Sequence, residues 1–266
     1  AAIWLKDQGY KVGFNLMQIN NADEGKIAEL LKLANTYPID VLYFADSMGS
    51  LNTQQITTIV NTFKNNWCGA IGIHAHDSMG NAVNNSMQAV NDGVSWVDCT
   101  VTGMGRGPGN AQTEYLSIEL DSYRKLNTSK TKLLKLIRNY FKPLKEQYDW
   151  GINPYYYLAG KHNIHPTYIQ KMITDTRYNE EDIVSVIDYL KEQGGGKFNP
   201  DVLESARHFY SGDARGTWKP TKVIKNNNVL IIGPGPSSTS HCNAIESYIK
   251  THSPFVIALN TQKSIS

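Results

Sequence analysis

Residues 71–110 of the 266-residue chain read IGIHAHDSMGNAVNNSMQAVNDGVSWVDCTVTGMGRGPGN, and this stretch decides the fold. An apolar run, 70–73, leads directly into His74 and His76, which predicts a strand that ends at a histidine pair. Side chains two residues apart in a strand lie on the same side, so both imidazoles can bind one metal ion. The pattern continues with a helical stretch, a second strand and a glycine-rich turn, at 81–91, 96–101 and 102–110.

The glycine-rich turn, which we call the glycine loop, comprises residues 102–110. Glycine has no Cβ, so its backbone can approach a ligand more closely than that of any other residue. If the two strands of this stretch are neighbours, the glycine loop lies beside the histidine pair. The stretch therefore predicts a metal site and a ligand-binding loop at one place in the fold.

The order strand then helix occurs four times, at roughly 25 to 30 residues per step, which is typical of βαβ units. Strands are predicted at 11–19, 40–45, 70–73 and 96–101, with Asp23 and Asn52 as caps of the helices between them. Strands that alternate with helices form parallel sheets, which are buried on both faces. Two architectures fit this order: one half of a (β/α)8 barrel and an open doubly wound sheet.

Polar side chains gather directly after the predicted strands. Gln18 lies at the end of the first strand, Asp46 and Ser47 follow the second, and the histidine pair follows the third. Both architectures place their active sites at the carboxyl ends of parallel strands. We therefore expect these side chains to line one site.

The composition excludes several classes of protein. The formal net charge is only +2 with mixed signs, which predicts neither a nucleic-acid partner nor a membrane surface. Three cysteines, at positions 68, 99 and 242, show no paired spacing, which is typical of a reducing compartment. The sequence shows no membrane span and no signal peptide, and we predict a cytoplasmic protein.

The remainder of the chain predicts two further domains. Residues 127–220 read as a small helical domain, with an amphipathic basic helix at 127–147 and an aromatic, proline-interrupted block at 150–172. Residues 221–266 start a new Rossmann-like α/β domain, whose Gly-Pro-Gly turn at 233–235 fits an ordinary βα turn better than a nucleotide-binding turn. Residues 1–126 then form a partial barrel domain. Both ends of the sequence look cut, so we expect a fragment of a longer protein.

Two motifs resemble those of the HMG-CoA-lyase-like (DRE-TIM) metallolyases, particularly the aldolase branch of that family. The first is His74-Ala75-His76-Asp77, and the second is GMGRGPGN at 103–110. The turn at 46–49 resembles the D-[ST]-x-G turn after the family's sixth barrel strand, and residues 150–172 resemble the helical domain of the aldolase branch. The resemblance covers about residues 1–175. It implies the C-terminal half of a TIM (β/α)8 barrel followed by a small helical domain.

The resemblance also implies a metal site and a reaction. His74, His76 and Asn110 correspond to residues that bind Mn2+ or Mg2+, whereas the family's Arg-Asp pair on the first barrel strand is not in this sequence. The implied reaction cleaves a small 4-hydroxy-2-oxo acid to pyruvate and an aldehyde through a metal-bound enolate. Gln18, Asp46, Ser47 and Arg106 are predicted to bind substrate, and the general base of the aldolase branch is not assigned.

Several alternatives remain open from the sequence alone. The same metal site fits an acetyl-CoA-dependent synthase of the isopropylmalate or citramalate type, and the barrel fold also fits a non-catalytic scaffold. Arg106 can bind a carboxylate or hold its own loop in place. Asp77 can orient a histidine or cap a helix. The apolar surface of residues 150–172 predicts a homo-oligomer.

Overall fold

A four-stranded parallel sheet forms the centre of the chain in a computed structural model that describes residues 1–123, 129–209, 224, 228–233 and 235–259. The chain divides into two compact units, residues 1–211 and residues 212–266. Each unit is described by itself. The predicted division into domains 1–126, 127–220 and 221–266 stays a prediction, and its boundary at 220 lies outside the described residues.

The first unit contains four strands and eleven helices among the described residues. The strands are β1 Gly13–Leu16, β2 Val41–Asp46, β3 Ala70–Ala75 and β4 Trp96–Asp98. The helices around the sheet are α1 Ala2–Asp7, α2 Glu24–Ala34, α3 Thr53–Asn66, α4 Ala82–Asn91 and α5 Thr113–Glu119. The later helices are α6 Lys130–Leu136, α7 Lys142–Tyr148, α8 Pro154–Lys161, α9 Pro166–Ile173, α10 Glu180–Gln193 and α11 Pro200–Phe209.

The strands lie in the order β1-β2-β3-β4, and each pairs with its neighbour in parallel. The core shows on which face of the sheet the helices pack. Leu42, Phe44, Ile71 and Ile73 point to one face and join the buried side chains of the helices α2 to α4. A doubly wound sheet reverses its strand order and carries helices on both faces, whereas consecutive strands with one helical face are the geometry of a barrel. The chain therefore forms four consecutive units of a (β/α)8 barrel.

Capping residues explain where several helices begin. The predicted caps are confirmed, because the side chain of Asp23 accepts a hydrogen bond from the backbone of Lys26, and Asn52 forms a capping box with Gln55. The prolines of the aromatic block start helices rather than break them, since α8 begins at Pro154 and α9 at Pro166. Proline suits the first turn of a helix because its missing N–H would have no partner there.

Three predicted elements were wrong in extent. The first strand was predicted at 11–19, but β1 ends at Leu16 because Gln18 has a left-handed backbone with φ 56°. The fourth strand was predicted to reach residue 101, but β4 ends at Asp98 and a short 3-10 turn, Val101–Gly103, follows. The continuous helix predicted at 127–147 is α6, a π-helical turn at Ile137–Phe141 and α7; residues 127 and 128 lie outside the described residues. The break precedes Pro143, which cannot donate the helical hydrogen bond.

The helices α8 to α11 pack into a second hydrophobic core. Its buried members include Tyr168, Ile169, Met172 and Ile187, and the hydroxyl of Tyr168 donates to the carbonyl of Lys197 at 3.1 Å. The capping box of Asn179 and Asp182 begins α10.

The second unit is a single βαβ element with the predicted order. Its elements are β5 Val229–Ile232, α12 Pro236–Ser240, α13 Cys242–His252 and β6 Phe255–Ala258. The strands β5 and β6 pair in parallel, as expected from the sequence. Residues 225–227 of the predicted α/β domain and Pro234 of its predicted turn lie outside the described residues. Among the helices that the structure describes, none is long and apolar enough to cross a membrane.

Candidate metal centre

His74 and His76 lie together at the carboxyl end of β3, as the strand period predicted. Their ring centroids are 5.1 Å apart, and the rings meet edge to face at 77°. His76 also pairs through its backbone with Asn110, the last residue of the glycine loop. The structure therefore brings the three predicted metal ligands to one place.

Hydrogen bonds fix which nitrogen each imidazole offers. The Nδ1 atom of His74 lies 3.0 Å from a carboxylate oxygen of Asp98, and Nδ1 of His76 lies 3.2 Å from the carbonyl oxygen of Gly109. A carboxylate and a carbonyl can only accept, so both Nδ1 atoms carry the proton. The Nε2 atom of each ring keeps its lone pair, as a metal ligand requires.

The environment of His76 keeps its ring neutral. Burial lowers the pKa of His76 to about 4; a positive charge on this ring is further disfavoured by its neighbours His74 and Arg106, and the hydrogen bond to the carbonyl of Gly109 opposes the shift. Neutral imidazole is the form that binds metal ions. His76 is thus prepared to bind a cation at neutral pH without losing a proton.

The side-chain amide of Asn110 has an oxygen atom that is not engaged in a hydrogen bond with the described residues. Its side-chain nitrogen donates to the carbonyl of Met104 at 3.1 Å, whereas its Oδ1 atom is buried and has no hydrogen-bond partner in the described structure. Six other buried side-chain atoms of the described residues also lack a partner, so it is the position of this oxygen beside the histidine pair that favours a ligand or ion here. Two imidazole nitrogens and one amide oxygen are a donor set that suits a divalent cation such as Mn2+ or Mg2+.

The donor set on this chain is partial. Among the described residues, no three side chains of His, Cys, Asp or Glu come close enough together to hold a metal ion. The residues present fit a cation that keeps further positions for water, substrate or groups other than those described. A site of this open kind is typical of catalytic rather than structural metals.

Two glycines of the glycine loop lie where a side chain would not fit. A Cβ at Gly109, where φ is +78°, would overlap the carbonyl oxygen of Gly103. A Cβ at Gly105 would overlap the side-chain amide of Asn110. Both positions therefore require glycine: Gly109 because its backbone is left-handed, and Gly105 because the side chain of Asn110 lies too close for a Cβ.

The segment before α8 holds the glycine loop in place. The buried indole of Trp150 donates from Nε1 to the carbonyl of Thr102 at 3.1 Å, and the backbone N–H of Gly151 donates to the carbonyl of Gly107 at 2.9 Å. Trp150 is therefore a functional residue that sequence reasoning counted only as part of an aromatic block.

Asp98 is the second residue that sequence reasoning missed. It lies opposite His74 in the register of β3 and β4 and is hydrogen-bonded to that ring. Burial and the negative charge of Asp98 raise the pKa of Tyr43, so the carboxylate also faces this tyrosine. The only signal in the sequence was the position of an acidic residue near the end of an apolar strand.

The predicted substrate residues occupy different environments. Asp46 is fully buried, and its oxygens accept from the side chain of Asn20 at 2.7 Å and from the backbone of Ser50 and Leu51 at 3.1 Å each. Burial raises the pKa of Asp46, and these hydrogen bonds oppose that shift. The carboxylate thus stabilises its own turn, and no face of it is open to a substrate.

The other predicted residues stand around the same strand ends. The hydroxyl of Ser47 accepts from the backbone N–H of Gln18 at 2.9 Å, and Gln18 itself is half-buried. The carboxylate of Asp77 accepts from the backbone of Ala82 at 2.9 Å, which favours the helix-capping alternative for this residue. Arg106 is exposed at the tip of the glycine loop.

Comparison with known proteins agrees with this geometry. The sequence model of the HMGL-like family matches residues 2–139, which include all four strands and the glycine loop. The chain belongs to the HMGL-like family. This membership accounts for the histidine pair, the glycine loop and the barrel units together.

Relatives named 4-hydroxy-2-oxovalerate aldolase match part of the chain. The protein from Pelotomaculum thermopropionicum is 38% identical over 111 residues, which are 42% of this chain and 33% of that protein. The protein from Brevibacillus brevis is 35% identical over 116 residues, 44% of this chain and 34% of that protein. The chain spans about a third of the length of the curated relatives it matches.

Solved structures show the same fold. The N-terminal domain of a protein described as an aldolase from Bacteroides vulgatus is 31% identical, with a TM-score of 0.61 over 69% of this chain and 60% of that one. The carboxyl transferase domain of Rhizobium etli pyruvate carboxylase is 15% identical, with a TM-score of 0.58 over 78% of this chain and 38% of that one. The second likeness concerns the fold alone.

Proposed function

We propose that this protein is a divalent-metal-dependent carbon–carbon lyase that cleaves a small 4-hydroxy-2-oxo acid to pyruvate and an aldehyde. One observation carries the proposal: two imidazoles that are hydrogen-bonded through Nδ1, and a buried amide oxygen with no partner among the described residues, meet at the carboxyl ends of parallel strands. The names of the HMGL-like relatives support the reaction class. The metal we propose is Mn2+ or Mg2+, held by His74, His76 and Asn110.

The reaction breaks the bond between C3 and C4 of the substrate. The 4-hydroxyl group loses its proton and becomes the aldehyde, the electron pair of the broken bond moves toward the ketone oxygen, and C3 then takes up a proton to give pyruvate. A divalent cation supplies Lewis-acid stabilisation of negative charge at the ketone oxygen.

The residues of this chain orient the ligands and bind the substrate. Asp98 holds His74 with its Nε2 atom available, and the carbonyl of Gly109 does the same for His76. We propose that Gln18 and Ser47 contact substrate from the ends of the first two strands. Asp46, being fully buried, acts as a positioning residue that fixes the turn carrying Ser47.

The test uses the full-length protein that carries this sequence. It is assayed with Mn2+ or Mg2+ and with a chelator, and pyruvate release from short 4-hydroxy-2-oxo acids is followed with lactate dehydrogenase and NADH. We expect metal-dependent release that His76→Ala abolishes. His252→Ala, at the end of α13 in the second unit, is the matched control and should keep full activity.

A parallel assay decides between this proposal and its alternatives. Release of free thiol from acetyl-CoA in the presence of a 2-oxo acid would identify a synthase instead. If neither pyruvate nor thiol were released although Mn2+ binds, the barrel would be a scaffold. The predicted homo-oligomer can be checked on the same sample by light scattering.

A further inference from the structure

A cavity of about 420 Å³ lies between the glycine loop and the helices α8 and α9. The loop forms one wall from Met104 to Gly107. The opposite wall carries the polar side chains of Asn153, Tyr156 and Gln170. None of the roles proposed above uses this cavity, although it adjoins the metal centre through the loop.

Arg106 lies between the metal centre and the cavity. The residue before it, Gly105, abuts the side-chain amide of Asn110, and the residue after it, Gly107, abuts the hydroxyl group of Tyr156. The guanidinium group thus lines the cavity from the same loop that ends at the predicted metal ligand Asn110. A substrate held at the metal centre would have to extend along this loop to reach the group.

The charges around Arg106 favour an anion. The side chain is exposed, and no described carboxylate lies within 4.0 Å of its guanidinium group to form an ion pair. His165, a buried histidine on the helical side, lies near enough for the charge of Arg106 to add to the effect of burial in lowering its pKa. The one carboxylate of the cavity, Asp149, lies on the helical side.

We propose that Arg106 binds a second carboxylate of the substrate, so that the preferred substrate class is a 4-hydroxy-2-oxo dicarboxylic acid. This inference rests on the proposed lyase function. A single guanidinium fork matches the planar carboxylate in a bidentate geometry. Asp149 in the same cavity repels a doubly charged phosphate more strongly than a singly charged carboxylate, which favours the carboxylate of the two.

The first experiment compares two substrates that differ only in their tail. These are 4-hydroxy-2-oxohexanedioate, which ends in a carboxylate, and 4-hydroxy-2-oxohexanoate, which ends in a methyl group. The wild-type protein should prefer the acidic substrate in kcat/KM. In Arg106→Gln the ratio of the two kcat/KM values should fall about tenfold, the usual effect of losing one charge-assisted hydrogen bond.

Two further variants make the comparison specific. Arg106→Lys keeps the charge without the fork, so its ratio should lie between those of wild type and Arg106→Gln. Lys32→Gln removes one exposed positive charge on α2, far from any predicted site residue in sequence, and should leave the ratio unchanged. If Arg106→Gln lowered both kcat/KM values equally, or if the wild type preferred the neutral tail, the inference would be overturned.

The second experiment measures binding without metal or turnover. Trp150 lines the cavity, so intrinsic fluorescence of the metal-free protein can be titrated with butyrate and with its neutral analogue butyramide at constant ionic strength. We expect a saturable change with butyrate alone that Arg106→Gln loses. If the wild type bound butyrate in this way but cleaved neither substrate, the lyase would be refuted and the subsite kept, whereas binding of butyrate that does not depend on Arg106 would refute the subsite.

Discussion

Asp98 Oδ2 lies 3.0 Å from Nδ1 of His74, across the register of β3 and β4. The hydrogen bond fixes the tautomer of His74 and makes Nε2 the only nitrogen that can bind a metal ion. Carboxylates that orient a metal-binding histidine in this way also raise the basicity of the ligand.

We therefore expect Asp98→Asn to weaken Mn2+ binding by about 10- to 100-fold, the usual effect of removing such a partner. Isothermal titration of the purified protein with Mn2+ gives the affinity directly, independently of turnover. Asp188→Asn, on the exposed face of α10, serves as the matched control and should bind Mn2+ as the wild type does. Equal affinities of wild type and Asp98→Asn would show that the contact does not orient the ring.

The backbone conformation at Gly109 should not tolerate an alanine. A Cβ there would overlap the carbonyl oxygen of Gly103, so Gly109→Ala should displace the glycine loop and with it Asn110. We expect a loss of stability of at least about 2 kcal/mol, from the clash and the left-handed backbone together, and weaker Mn2+ binding.

Gly194→Ala is the control that measures the effect of the left-handed backbone without a clash. Its φ is +82°, close to that of Gly109, but no heavy atom lies within 4 Å of the position of its Cβ. Gly194→Ala should therefore lower the free energy of unfolding by only about 1 kcal/mol, the cost of a left-handed backbone at an alanine, and should bind Mn2+ as tightly as the wild type. If the two variants lost the same stability in urea unfolding, the overlap with Gly103 would have no energetic effect.

The buried carboxylate of Asp46 predicts a loss of stability in Asp46→Asn. The carboxylate accepts hydrogen bonds from three donors: the side chain of Asn20 and the backbone N–H groups of Ser50 and Leu51. An asparagine would put an NH2 group in place of one of the two oxygens, so at least one of these donors would lose its acceptor. An unsatisfied buried group of this kind lowers the free energy of unfolding by about 1–3 kcal/mol. Asp23→Asn is the comparison, because asparagine caps a helix as well as aspartate and should unfold at the urea concentration of the wild type.

The sequence alone predicted the parts of the site that follow from local periodicity. His74 and His76 share a face because they are two residues apart in a strand, and the caps Asp23 and Asn52 follow from side chains that can bond to their own helix. The one-sided pattern of helices, which decided for a barrel, required the structure, because near-continuous apolar strands do not show which face the helices cover.

Residues that depend on register or on loop geometry could not be predicted in the same way. Asp98 is 24 residues from His74, and only the pairing of β4 with β3 brings them together. Asp46 follows its strand as a site residue should, yet its carboxylate turns back to bond with Ser50 and Leu51. Trp150 contacts the glycine loop from a distance of 48 residues in sequence.

The ion pair of Lys6 and Asp40 predicts a dependence of stability on pH. The hydrogen bond from Lys6, at 2.7 Å, and that from the backbone of Val12 lower the pKa of Asp40 below its ordinary value of 3.8. Folding therefore favours the charged form of Asp40. The stability that this charge contributes is fully present above the pKa of Asp40 in the unfolded chain, and it is lost as the pH falls through the pKa of Asp40 in the folded protein.

Asp40→Asn should therefore unfold at a lower urea concentration than the wild type at pH 7, and the difference should shrink as the pH falls below 3.8. Both side chains of the pair are about a third exposed, so 1 M NaCl should also reduce the difference by screening. Glu29→Gln, which breaks the more exposed pair with Lys26, provides the matched control and should change little at either pH. A difference between Asp40→Asn and wild type that stayed constant from pH 7 to pH 3 would mean that the charge of Asp40 does not contribute to stability.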